Sequence, residues 1–362
     1  MLYKILKYPL LLGTLVLSFL LLAACATAWV HPSTTMFFVY LGLAFPVIAL
    51  FNLLAGIYWV LKRKWYLIIP LGSMFLCSHN IQKTLGIHRN NASEKVIVDK
   101  IKVLSYNIKL FDFYDKDTKV LDYLLKQDAD IVCLQEFGYY TGSEKRFLTR
   151  AHIMDKMKEK YPYHHFSQSD LQLKGTYGMA TFSKHPVVKH DDIAIESRYK
   201  SAIYSDIKIG DDTLRVINLH LESNKLTSAE RELLQHIRNT DSTNSKAKAI
   251  NKKLSEAYSL REKQADKVSE LIEQTRHPIV LCGDINDVPV SYTYSTLAGS
   301  KLTDSFTERG KGYGHTFNEG MIKFRIDDIM HSKELCAKKY VRDKVPYSDH
   351  YPVIVDLAWT KQ

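Results

Sequence analysis

Apolar positions crowd the front of this chain and come in short runs everywhere else. Residues 8–30 carry no charge, and a second apolar run covers residues 36–61. Both reach the roughly 20 residues that a membrane-spanning helix needs. A third, weaker run over 65–78 contains Pro70. It reads as a tilted span, a re-entrant segment or an interfacial helix, so the pattern predicts a membrane region of two to three transmembrane helices over residues 1–80. Lys4 and Lys7 flank the first run, Lys62-Arg63-Lys64 follow the second, and the loop His31-Pro32-Ser33-Thr34-Thr35 between them has no Lys or Arg. Basic loops stay cytoplasmic. Three crossings then put everything after about residue 80 outside the cytoplasm, and two crossings would put it inside.

Beyond a polar linker over 81–97, residues 98–362 read as one large domain. Residues 102–107 form an apolar strand that ends in polar chemistry. Val120, Leu121, Leu124 and Leu125 recur at helical spacing within 118–127, and 130–134 returns as a buried strand. Strands follow over 177–183 and 201–209, and Gly210-Asp211-Asp212 turns the chain into 213–220 as a hairpin. Residues 225–276 read as charged helices broken by a polar loop at 239–245. Further strands cover 278–283, 325–330 and 351–359. Strands mixed with helices and hairpins point to an α/β domain of two packed sheets with helices on their outer faces.

Charge and cysteine content add modest information. The formal net charge of the 362 residues is +10. Part of it is the basic flanks, and much of the rest is Lys246, Lys248, Lys252, Lys253, Arg261, Lys263 and Lys267, an excess that favours anionic partners such as nucleic acid or phospholipid headgroups. Cys133 and Cys282 lie inside apolar runs and read as buried thiols. With Cys336 they make an odd count that argues against a disulfide framework and suits a reducing compartment. Leu22-Ala23-Ala24-Cys25 resembles a lipoprotein processing site, but the apolar run that follows favours a plain helix with a Cys near its end.

Candidate chemistry clusters at strand ends. Glu136 closes a buried strand, where a carboxylate suits Mg²⁺. Asp284 and Asn286 stand two apart after another strand. An extended chain would put both on one face, Asp to orient or deprotonate a water and Asn to donate to a phosphoryl oxygen; an Asx turn is the competing geometry. His220, on the same strand face as Asn218, can donate to a phosphate. Asp349-His350 offers a ligand beside a base, and Asp327 a carboxylate to orient that ring.

Asn107, Glu136, His220, Gly283-Asp284-Ile285-Asn286, Arg325-Ile326-Asp327 and Ser348-Asp349-His350 occur in the order of the endonuclease/exonuclease/phosphatase superfamily, which the chain resembles from about residue 98 to 360. The resemblance implies a four-layer α/β sandwich and a phosphoester hydrolase using Mg²⁺ or Mn²⁺. It makes Glu136 the main metal ligand, with Asn107 and Asp349 near the metal, and Asp284 the residue that activates the attacking water. His220, Asn286 and Asn107 would hold phosphoryl oxygens, and His350, paired with Asp327, would stabilise the transition state or transfer a proton. Tyr177 or its neighbour Thr176 falls where relatives carry a phosphate-contacting aromatic residue. Arg261 and Gln264 read as structural, and 225–258 as an extension over a minimal core.

Two enzymatic readings follow. One is a bacterial inner-membrane phosphoesterase with its domain on the periplasmic or extracellular side, acting on lipid headgroups or other phosphoesters. The other is a nuclease on the same face that cuts DNA or RNA. An inactive membrane scaffold conflicts with the filled catalytic positions, and a transporter with spans that carry no charged residue.

Overall fold

The structure is a computed structural model that describes residues 2–87, 100–171, 174–226, 241–320 and 323–360, with 2–6 and 241–244 described by backbone alone. At the front stand α1 (Leu2–Cys25), α2 (Met36–Leu61), α3 (Ile68–Leu76) and α4 (Ser78–Thr84). Two helices among the described residues are long and apolar enough to cross a membrane, and they cover the first two apolar runs. The third run is not one helix. A short 3-10 turn leads into α3, whose nine residues are too few to span alone, and the chain breaks at Cys77 before α4.

That broken segment nevertheless lies along the other two. Leu71 reaches within 3.5 Å of where a Cβ on Gly56 would stand, and the Cys77 thiol lies 3.7 Å from the Leu21 carbonyl. Asn52, fully buried, ties all three together. Its carbonyl oxygen accepts from Ser18 at 2.9 Å and Ser73 at 3.4 Å, and its amide donates to the Leu17 carbonyl at 2.8 Å. The third segment therefore returns from the Lys62–Lys64 end of the bundle to the end that bears the His31–Thr35 loop.

The domain is built from twelve strands longer than two residues among those described. In chain order they are β1 (Lys100–Asn107), β2 (Ile131–Phe137), β3 (Tyr163–Leu171), β4 (Gly175–Ser183), β5 (Val187–Asp192), β6 (Ala202–Ile209), β7 (Asp212–His220), β8 (Ile279–Asp284), β9 (Leu302–Asp304), β10 (Asp327–Ser332), β11 (Leu335–Arg342) and β12 (Val353–Trp359). One sheet runs β11-β12-β1-β2-β4-β3 and the other β9-β10-β8-β7-β6-β5. Each has one parallel pair at its centre, β1 with β2 and β7 with β8, and antiparallel neighbours elsewhere.

The sheets face each other through Val103, Ile131 and Cys133 on one side and Val216, Val280 and Cys282 on the other. The opposite face of the first sheet is covered by α5 (Val120–Gln127) and α6 (Arg150–Met157), through Leu121, Leu124, Ile153 and Met157. The second is covered by α7 (Asp241–Gln274) and α8 (Tyr292–Ala298), through Val268, Ile272 and Leu297. Strands buried on both faces read as continuous apolar runs, as 131–134 and 279–282 do. The four-layer α/β sandwich expected from the sequence is the observed architecture.

Several local expectations change. Asp241 to Ser245, expected as a polar loop, already belongs to α7; Asp, Ser and Thr in sequence suit the first turn of a helix. Residues 227–240, which hold the rest of that expected loop and part of the extension, lie outside the described residues. The strand expected from 325 begins at Asp327, because Arg325 turns inward to Asp304 and Asp328. Within the expected linker, residues 81–84 are helical, Gly86-Ile87 pair with Lys311-Gly312, and 88–97 lie outside the described residues. All five cysteines are free, with Cys133 and Cys282 buried as expected.

Candidate active site

Parallel strands end at a common edge, and here the edges of both parallel pairs meet. Asn107 is the last residue of β1 and Glu136 the penultimate one of β2, while His220 ends β7 and Asp284 ends β8. Asp327 opens β10 directly opposite Asp284 in the ladder. The turn before β12 supplies Asp349 and His350, and the Ser348 hydroxyl anchors it by donating to the Asn107 carbonyl at 2.8 Å.

Local backbone features aim these side chains. The β2–β4 register slips between Leu134 and Phe137, and Glu136 adopts φ 48°. Such a bulge turns Gln135 into the sheet interface and Glu136 out toward the cleft. Gly283, at φ 144°, lies so close to β7 that a Cβ would stand 1.9 Å from the Leu219 carbonyl, so only glycine fits ahead of Asp284.

The side chains form one network across the two sheets. The Asn107 amide donates to Glu136 at 3.2 Å and to Asp284 at 3.1 Å. His220 Nε2 faces the same two carboxylates at 3.8 and 3.6 Å, and its Nδ1 lies 3.2 Å from the Tyr177 hydroxyl. Burial, with the charges of Glu136 and Asp284, pushes the Tyr177 phenol up and keeps it protonated. Thr176 is turned away to the backbone of Tyr139, so of the two neighbours Tyr177 is the one that meets the site. His350 Nδ1 pairs with Asp327 at 2.9 Å, and its Nε2 lies 3.7 Å from Asp284. Burial alone would lower this imidazole; the Asp327 and Asp284 carboxylates outweigh it and push the ring up to about 10. Asp284 is itself pushed up to about 6 by burial and the Asp327 charge, against the pull of His350 and His220.

Two expected roles meet a different geometry. The chain does not stay extended past Asp284. Asn286 sits at φ 54° and its backbone N–H donates to Asp284 Oδ1 at 2.9 Å, which is an Asx turn, so the two side chains do not share a strand face. One N–H of the Asn286 amide donates to the Leu221 carbonyl at 3.0 Å, leaving the other for a ligand. Asp349 faces Lys109, 3.3 Å away.

A hard cation fits part of this donor set. Glu136 and Asp284 converge on the single amide nitrogen of Asn107, whose oxygen accepts from the Lys109 N–H at 3.2 Å, and the two carboxylates offer the oxygen chemistry suited to Mg²⁺ or Mn²⁺. Asp284, Asp327 and His350 also come within 4.8 Å of one another. Within that trio the His350 ring stands between the two acids, Nδ1 on Asp327 and Nε2 toward Asp284.

Polar residues within the strands, not singled out as site residues in the sequence, hold the site together. Gln135 donates across the sheet interface to Asn218 at 2.8 Å, and Asn218 in turn donates to the Ala180 carbonyl at 2.9 Å. A polar side chain inside a fully apolar run is the signal that marks both. Arg261 and Gln264 are structural, as expected. Arg261 donates to the Glu222 carbonyl and Gln264 accepts from the Glu222 N–H, which fixes the segment after His220.

The model of the Endonuclease/Exonuclease/phosphatase family matches residues 104–350. The chain belongs to the endonuclease/exonuclease/phosphatase family. It is thus a hydrolase of phosphoester bonds in a family of divalent-metal-dependent enzymes. A domain of unknown function (DUF8431) matches residues 4–84. An endonuclease/exonuclease/phosphatase from Beutenbergia cavernae is similar in fold, at 17% identity and TM-score 0.52, over 72% of each chain. A family protein from Leptotrichia buccalis is similar at 14% identity and TM-score 0.51, over 72% of this chain and 100% of its own. Comparison with curated proteins gives no match.

Proposed function

We propose that this family member is a membrane-anchored, Mg²⁺-dependent phosphoesterase that works at the outer face of a bacterial inner membrane on phosphoesters carried by the bilayer, lipid headgroups among them. The observation that carries the reading is the docking of the active-site loop on the apolar bundle. Val288 and Val290, two and four residues beyond Asn286, are buried in one cluster with Leu21, Leu41, Phe45 and Cys77. Arg325, two residues before Asp327, donates to the Lys83 carbonyl of α4 at 2.8 Å. A bundle joined this closely to the site makes the bilayer the nearest source of substrate.

Membrane insertion is supported by the side chains that the bundle leaves outside. Leu12, Val16, Phe19, Val47, Phe51 and Leu54 are exposed along α1 and α2, an apolar surface that water would not tolerate over this length. The domain docks at the His31–Thr35 end, opposite Lys62-Arg63-Lys64. With the basic end cytoplasmic, the domain faces outward.

Glu136 would hold the cation, with Asn107 beside it and Asp349 once Lys109 swings aside. The bound cation supplies charge neutralisation at the phosphoryl group. Asp284, buried and next to two imidazoles, orients the attacking water and takes its proton. His220, backed by Tyr177, and the free N–H of Asn286 donate to phosphoryl oxygens. Protonated His350, fixed by Asp327, stabilises the negative charge that builds in the transition state. In nanodiscs holding the full chain, Mg²⁺-dependent release of headgroup phosphate would support the reading. Nicking of plasmid DNA without headgroup release would replace it with a nuclease.

A further inference from the structure

The first half of α7 lies where the bundle leaves the bilayer. Ile250, Leu254 and Tyr258 recur at helical spacing and are buried with Val39 of α2, with Met36 and Leu43 alongside. The Tyr40 hydroxyl donates to the Asn251 side chain. This level of α2 has the marks of a membrane interface. Trp29 and Tyr40 are 76% and 40% exposed there, and the Thr27 hydroxyl binds the Phe38 carbonyl at 3.0 Å, which sets the two segments at one height. Tyr8 and Trp65 are exposed at the opposite end, so aromatic side chains mark both interfaces. Length agrees. The 26 residues of α2 extend about 39 Å at 1.5 Å each, against about 30 Å of hydrocarbon, so its first turns stand at headgroup level.

The exposed positions of this part of α7 are basic. Residues 245–258 hold four lysines and one glutamate. Lys246, Lys248 and Lys252 are all exposed, and Lys252 has Glu256 at 3.8 Å. We infer that residues 245–256 form a binding surface for anionic phospholipid headgroups, in which the apolar stripe clamps α2 and the lysines meet lipid phosphates. Such a surface fixes the height and tilt of the catalytic domain above the bilayer. The inference rests on the membrane reading above, and it adds a lipid site apart from the catalytic one.

The test uses the full chain in nanodiscs of equal phosphatidylcholine and phosphatidylglycerol, with bound lipids counted by native mass spectrometry. We expect phosphatidylglycerol to be enriched around the wild-type chain, to fall by about fivefold for each lysine removed at low salt, and to reach the bulk ratio in Lys246→Gln/Lys248→Gln/Lys252→Gln. Equal lipid ratios for wild type and triple variant would overturn the lipid surface while leaving the membrane reading intact. Failure of the folded wild-type chain to enter nanodiscs at all would overturn the membrane reading and the lipid surface with it.

Discussion

His350 and Asp327 form the closest acid–base contact in the site, 2.9 Å apart, both buried and both from segments that flank the central parallel strands. Asp327 fixes the ring through Nδ1 and leaves Nε2 facing Asp284. The two residues act as one unit, so their losses should not add. We expect His350→Ala to lower turnover by about 10²–10⁴-fold, and Asp327→Asn/His350→Ala to be little worse than the single variant. Steady-state kinetics of the four forms measures the coupling, and additive losses would separate the two roles.

How much of this was legible in the sequence depends on the range of each interaction. Gly283-Asp284 could be read because a steric demand and a strand end coincide in neighbouring residues. The Asx turn at Asn286 competes in the sequence with an extended chain, and its side chain is held by the Leu221 carbonyl, just past the end of β7. β3 was not anticipated because its sequence, Tyr-His-His-Phe-Ser-Gln-Ser-Asp-Leu, is largely polar and is held by pairing with β4. Lys109 gave no signal at all. It reaches Asp349 because residues 109–114 all take positive φ, a left-handed turn that side-chain pattern does not encode.

The strut beneath the site carries its own expectation. Asn218→Ala removes the nearest acceptor of the Gln135 amide, leaves it Ser105 at 3.2 Å and the Cys133 carbonyl at 3.4 Å, and should cost about 1–3 kcal/mol. Thermal unfolding of the full chain in detergent reads the loss. Adding Gln135→Ala to remove that donor should restore part of it, whereas a neutral Asn218→Ala would mean that the strut is filled by water.

His165 gives the fold a pH dependence remote from the chemistry. It reaches from β3 to Ser205 of β6 at 3.2 Å, and burial plus the neighbouring His190 ring push it down to about 4 against the pull of Asp191 and Asp192. Between about 4 and the ordinary value near 6.5 the unfolded chain binds a proton that the folded chain refuses. His165 therefore costs the fold stability as pH drops through that window, while Asp284, pushed up to about 6, takes up a proton on folding there and acts in the opposite sense. We expect His165→Gln to lose less melting temperature than the wild type between pH 6.5 and 4.5. An unchanged slope in the variant would assign the pH dependence to other groups.

Glu262 latches the bundle to the domain. It accepts from the Ser33 N–H at 2.8 Å and the Ser33 hydroxyl at 3.0 Å, and meets His31 at 2.8 Å. Glu262→Ala leaves these groups without their acceptor. Amide exchange at residues 31–35 should rise by about tenfold, as expected for a loss near 1.4 kcal/mol. Unchanged exchange would assign the docking to the remaining contacts around Val290, Arg325 and the α7 stripe.

The central claim is a metal-dependent attack on phosphoesters prepared by Asp284. The most direct measurement is hydrolysis of bis(p-nitrophenyl) phosphate by the full chain in nanodiscs, stripped with EDTA and then titrated with Mg²⁺, with Asp284→Asn in parallel. The account expects turnover that is absent after stripping, returns with Mg²⁺ and falls at least about 100-fold in the variant. Turnover that survives EDTA, or that is equal in wild type and Asp284→Asn, would contradict it.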